Sequence, residues 1–81
     1  MDANEEIKKM LTGITGLNFD EIGDEDNLVE DLGVDSLKVI EIATEMEKSF
    51  KVKVKDSHLM NIKTVADVSK VLKELLEAKI A

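Results

Sequence analysis

The sequence predicts an all-α protein: a small helical bundle of three main helices plus one short helix, with a long ordered loop between helices one and two. Three observations predict it. Apolar residues recur at i, i+3, i+4 and i+7 in separate segments, the spacing that lines one face of a helix. The 81 residues hold no proline and only four glycines, and Leu, Ala, Glu and Lys abound. The turn formers Asn, Asp and Gly crowd into one stretch, 17–35. A chain of this length suits one domain, 1–81, with a small core.

In the first helix, Ile7, Met10, Leu11 and Ile14 form the stripe. Asp2 is placed to cap it, with Glu5 three residues on, and Gly16 is a left-handed stop. Residues 17–35 lack a helical period, yet Leu17, Phe19, Ile22, Leu28, Val29, Leu32 and Val34 recur as expected anchors to a core. So long a connection in so short a chain tends to be functional.

The helical signal returns after Asp35, a good N-cap. From Ser36 to Phe50 the stripe is Val39, Ile42, Ala43, Met46 and Phe50, with Leu37 and Ile40 to its side. Residues 50–55 alternate like a strand but have no partner strand. They read as an extended connector with Val52 and Val54 inward. Asp56 is expected to cap a short turn through Leu59 and Met60. Thr64 and Asp67 resemble a capping box, and Val65, Val68, Leu72, Leu75 and Leu76 give the last helix, expected to fray from Ala78 to Ala81.

Composition excludes several functions. No apolar run exceeds two residues, too short for a membrane span. The acidic start, Met1 to Glu6, has the wrong sign for a targeting peptide, so the expected location is the cytoplasm. Without cysteine there is no disulfide framework, thiolate metal site or cysteine nucleophile. Asp24-Glu25-Asp26-Asn27 departs from a calcium loop, since Leu28 stands at the third ligand position. The single histidine, His58, reads as a surface or partly packed residue, and no metal is expected. The net charge of −7 argues against nucleic acid. It is also uneven: residues 1–35 carry eleven carboxylates against two lysines, residues 36–81 seven against nine, and there is no arginine. A partner drawn by charge is therefore cationic. No nucleophile has an identifiable base, so the chain reads as no enzyme.

Gly33-Val34-Asp35-Ser36-Leu37 remains. A glycine turn, an aspartate cap and a serine in a first helical turn are routine. The same serine, however, sits where free N–H groups and the helix dipole favour an anion, so a phosphate ester is accommodated there. Leu37 beside it is an exposed apolar handle.

The octapeptide Glu30-Asp31-Leu32-Gly33-Val34-Asp35-Ser36-Leu37 resembles the signature of the acyl carrier protein family. The acidic loop, Glu41, Glu47, the Val54 connector, the Ile62-Lys63-Thr64-Val65 entry and the terminal stripe extend the resemblance over roughly residues 3 to 78. The resemblance implies that Ser36 carries a covalent 4'-phosphopantetheine arm, flanked by Asp35 and Leu37. A phosphopantetheinyl transferase would install it, and acyl groups would ride it as thioesters to acyl-loading and acyl-processing enzymes. It implies a partner surface of Asp35, Leu37, Lys38, Glu41 and Glu47. It implies an acyl pocket of Leu28, Val29, Ala43, Met46, Val54, Leu59 and Ile62, in a monomer. Lys38 departs from the family, which usually has an acid there. Lys48, Lys51, Lys53 and Lys55 also stand where acids, neutral residues or a proline are common. An ammonium beside the arm would repel basic partners, which favours a specialised lipid, polyketide or related pathway over general fatty-acid synthesis. The competing class is a small helical adaptor that carries no prosthetic group.

Overall fold

The computed structural model describes residues 2–80. Four helices follow in order: α1 (Ala3–Thr15), α2 (Ser36–Phe50), α3 (Asp56–Met60) and α4 (Val65–Ile80), with a 3₁₀ turn at Phe19–Glu21 between α1 and α2. This is the small helical bundle the apolar spacing predicts. The last helix runs on to Ile80 where fraying was expected; Ala81 lies outside the described residues.

α1 packs mainly on α4 and secondarily on α2. Ile7 and Leu11 of α1, Ile42 and Met46 of α2, and Val65, Val68 and Leu72 of α4 are buried together. These are the stripe positions, because one helical face can reach a shared interior while the charged faces stay in water. Ser69, buried among them, donates its hydroxyl to the Val65 carbonyl at 3.3 Å, so it carries no unmet bond into the core.

The helix ends are closed by side chains. The Asp2 carboxylate accepts from the N–H groups of Asn4 and Glu5 at 3.0 and 3.4 Å. Gly16 adopts φ 78° and donates its N–H to the Thr12 carbonyl at 3.0 Å, the left-handed stop its position predicts. At α4, Asp67 accepts from Lys63 and Thr64 N–H at 2.9 and 3.0 Å, and Thr64 Oγ1 accepts from Asp67 N–H at 3.2 Å. α3 differs from expectation. Asp56 is its first helical residue, Lys55 holds the cap position, and the Lys55 N–H donates to His58 Nδ1 at 3.0 Å. His58 can accept only as the neutral ring with its proton on the other nitrogen.

The loop of residues 17–35 is ordered by main-chain bonds to the start of α4. Leu28 N–H donates to Lys63 O at 2.9 Å, Val65 N–H to Asp26 O at 3.1 Å, and Ala66 N–H to Asp24 O at 2.8 Å. Asn27 and Thr64 form an isolated antiparallel bridge. The Lys8 ammonium lies 3.1 Å from Asp24 Oδ1, joining α1 to the same loop. Ile22, Leu28, Leu32 and Val34 are buried anchors, as expected. Phe19 and Val29 are not: they are 38% and 63% exposed. Phe19 sits instead with its ring 5.8 Å from the Lys8 ammonium, and Val29 lies in the turn that Asn27 caps.

Gly13 lies inside α1 without a positive φ, and a Cβ there would meet no atom within 4 Å. Gly13→Ala should raise stability by about 0.5–1 kcal/mol, whereas Gly16→Ala, at φ 78°, should lower it; thermal melts of both variants check this. The Lys63 and Thr64 N–H groups hold the Asp67 carboxyl below its ordinary range. The stability this gives is complete above the unfolded carboxylate range and is lost as pH falls through the lowered folded value. Asp67→Asn should therefore be less stable than wild type at neutral pH, with the gap in urea midpoints closing below about pH 4.

Candidate functional site

The junction between loop and α2 is built from the inside outward. Val34 is buried and its N–H donates to Leu28 O at 2.8 Å, which fixes where the loop ends. Asp35 follows in extended geometry and accepts from the Lys38 N–H at 2.9 Å. Ser36 is thus the first residue of α2, on the surface, and its hydroxyl has no hydrogen-bond partner among the described residues. The Asp35 carbonyl takes the Val39 N–H and its carboxylate the Lys38 N–H, which leaves the Ser36 and Leu37 N–H groups free. No acid occupies the first turn of α2. A phosphate on Ser36 Oγ would meet unpaired N–H groups and the positive end of the helix. The residues present therefore fit a phosphate-linked arm.

Around Ser36 the surface is apolar and acidic. Leu37 is 71% and Ile40 57% exposed, and Glu41 stands one turn beyond Leu37. Ile40 is absent from the partner surface the resemblance implies; an apolar residue off the core stripe, three positions after Leu37, was the available signal. Glu47 is differently placed. It lies about 16 Å farther along the helix from Ser36, and its Oε2 accepts the Val54 N–H at 2.9 Å. It ties down the connector.

Lys38 departs most from expectation. Its ammonium donates to the Ile14 carbonyl of α1 at 3.2 Å, with the side chain half-buried. α1 has no basic residue in its last turn, so this ammonium supplies the positive charge its C-terminal carbonyls favour. Lys79 treats α2 in the same way, donating to the Phe50 carbonyl at 3.2 Å.

The implied acyl-pocket residues do not all meet. Leu28, Val29 and Ile62 line a cavity of about 230 Å³ together with Val39, a core-stripe residue outside the implied pocket. Met46 is fully buried, and Ala43, Val54 and Leu59 are half-buried, but none of these four lines that cavity. Among the described residues no cluster of His, Asp or Glu could hold a metal, and no helix is long and apolar enough to cross a membrane.

Residues 5–72 match the protein family described as the phosphopantetheine attachment site. The acyl carrier protein of Rickettsia bellii (strain RML369-C) is 41% identical over 70 residues, covering 86% of this chain and 81% of that protein. The chain belongs to the acyl carrier proteins. The group such proteins bear is phosphopantetheine, in agreement with the fit at the start of α2. The meromycolate extension acyl carrier protein of Mycobacterium tuberculosis (strain ATCC 25618 / H37Rv) is 37% identical over 71 residues. That match covers 88% of this chain and 62% of the mycobacterial protein's length. A solved chain from M. tuberculosis assigned as an acyl carrier protein superposes with a TM-score of 0.83 at 33% identity, covering 89% of this chain and 96% of that one. The likeness thus covers most of the chain.

The position of Lys38 is open to measurement. Lys38→Met removes the bond to Ile14 O and should destabilise the fold by about 0.5–1.5 kcal/mol in urea unfolding. Lys38→Glu should cost more, since it sets an anion against the negative end of α1. Equal stability of all three proteins would show that the ammonium is free in solution.

Proposed function

We propose that Ser36 is the attachment residue of this acyl carrier protein, and that the chain acts as a non-catalytic shuttle for acyl thioesters. The observation that carries this is the exposed, unpartnered Ser36 hydroxyl at the first position of α2, beside free N–H groups. The bundle formed by α1 to α4 is the whole carrier unit on this reading. A phosphopantetheinyl transferase transfers the arm from coenzyme A to Ser36 Oγ: the phosphate ester forms as the pyrophosphate link of coenzyme A breaks, the hydroxyl proton is lost and the adenosine bisphosphate portion leaves. Leu37 and Ile40 give that enzyme an apolar contact, while Asp35 and Glu41 steer its cationic surface. When bound, the arm supplies the terminal thiol that bears the acyl group. The chain's own part is to hold the attachment point rigid and to offer Val29, Val39 and Ile62 as an aliphatic lining for a short stretch of cargo.

The cargo belongs to lipid assembly, in keeping with the carrier relatives. A specialised pathway is supported by the mycobacterial relative, whose name specifies meromycolate extension. The second reading, general fatty-acid synthesis, is favoured by Lys38: with its ammonium on Ile14 O, it does not stand against a basic enzyme docking at Ser36.

Incubation with coenzyme A and a phosphopantetheinyl transferase should add one phosphopantetheine to the intact mass, and Ser36→Ala should abolish the gain. Leu37→Ala and Glu41→Lys should slow it by several-fold, roughly the effect of one contact worth about 1 kcal/mol, with helicity unchanged by circular dichroism. A mass gain that survives Ser36→Ala would place the arm elsewhere. An unmodified wild type would favour a plain protein-binding adaptor.

A further inference from the structure

A second hollow lies apart from the acyl-pocket candidate. It is a groove of about 740 Å³ between α1 and α2, and Ser36 is not part of it. Met10, Gly13 and Ile14 of α1 and Ile40 and Phe50 of α2 supply its apolar surface. Glu6, Glu41 and Glu45 border it; Lys9 is the one cation in its lining, and the Lys38 ammonium bonds the carbonyl of the lining residue Ile14.

Gly13 makes this groove more than a gap between helices. A glycine inside a helix is unfavourable relative to alanine. Gly16 earns its place through φ 78°, but Gly13 has no positive φ, and no neighbour crowds the space where its Cβ would be. Neither backbone conformation nor packing within this chain accounts for it. What the missing side chain does is leave the α1 wall low where it faces α2.

We infer that the α1–α2 groove receives a cationic amphipathic helix of a partner protein. Its apolar side would lie over Met10, Gly13 and Ile14, and its lysines or arginines against Glu6, Glu41 and Glu45. The charge decides between occupants. An alkyl chain gains nothing from three bordering carboxylates. A second copy of this chain would bring net negative charge to an acidic border. A basic helix matches both the border and the apolar floor, the helix-in-groove mode of recognition. The groove continues onto Ile40 and Glu41, so a partner engaged at Ser36 can reach it without a second docking event.

The test uses the full chain, ¹⁵N-labelled, and a synthetic leucine–lysine peptide of about 18 residues with leucine at i, i+3, i+4 and i+7, about 27 Å long as a helix. A peptide of the same composition in scrambled order is the control. The ordered peptide should shift the amide signals of Met10, Gly13, Ile14, Thr44 and Ser49, and the scrambled one should not. Gly13→Leu, which fills the groove, should weaken binding about tenfold, and Glu45→Lys several-fold. Asp20→Lys, the same charge change on the acidic loop, should stay within about twofold. Equal binding of both peptides, shifts centred on residues 20–31, or wild-type affinity in Gly13→Leu would overturn the inference. So would the same shifts appearing on concentration of the protein alone, or only when an octanoyl chain is loaded on the arm. Because Ser36 lies outside the groove, the outcome is independent of whether Ser36 is the attachment residue.

Discussion

The three main-chain bonds between residues 24–28 and 63–66 hold the working end of the molecule in place. A helix begins with N–H groups that have no partner inside it, and a long loop carries carbonyls with the same problem. Here each supplies the other's need. Val65 and Ala66, at the start of α4, donate to the carbonyls of Asp26 and Asp24, and Lys63 returns a carbonyl to Leu28. The consequence reaches Ser36 through a short chain of contacts. Leu28 is fixed by Lys63, the Leu28 carbonyl holds the Val34 N–H, and Val34 is followed by the Asp35 cap and then Ser36. Ser36, at the end of a nineteen-residue connection, is thereby as well defined as a residue within a helix, because the connection borrows its order from α4.

Electrostatics closes the remaining helix ends. Lysines from distant positions reach the C-terminal carbonyls of two helices: Lys38 from α2 to α1, and Lys79 from α4 to α2. Each such contact is modest, about 0.3–1 kcal/mol from the dipole. Each also joins two elements, so it resists their separation as well as fraying. In a chain with seven net negative charges and no arginine, the spending of lysines on helix ends leaves the acidic character of the α2 surface uncompensated at Asp35 and Glu41.

Local pattern made the four helices, the Asp2, Asp35 and Thr64–Asp67 caps and the Gly16 stop legible, since each depends on residues within four positions of one another. What failed depends on distance. Phe19 and Val29 were expected inside because they are apolar, but burial in a loop is set by which backbone groups are bonded, and the turn at Asn27 leaves Val29 outward. Lys38 was expected beside the arm because it follows Leu37. A four-carbon stem can carry its ammonium to a neighbouring helix, and no spacing in the sequence records that choice. Asp56 was expected as a cap from residue type, yet the imidazole of His58 satisfies the Lys55 N–H from three positions on. The Ser36 region was legible as a helix start from its residues, and family resemblance is what suggests it as an attachment site.

If Ser36 bears the arm as proposed, a covalent link would account for how little is built around it. A reversibly bound phosphate needs several converging donors to offset the loss of its hydration and its freedom. A phosphate held by an ester bond needs only to be tolerated. The local balance meets that lower demand. Asp35 is the nearest carboxylate in sequence and repels an anion, but its charge already faces the Lys38 N–H. The free N–H groups of Ser36 and Leu37 and the helix dipole act in the opposite direction, by about 0.3–1 kcal/mol. Two exposed effects of similar size nearly cancel in water. On the proposed attachment at Ser36, an arm would then be neither drawn onto the surface nor driven from it, and its cargo would remain free to enter another protein.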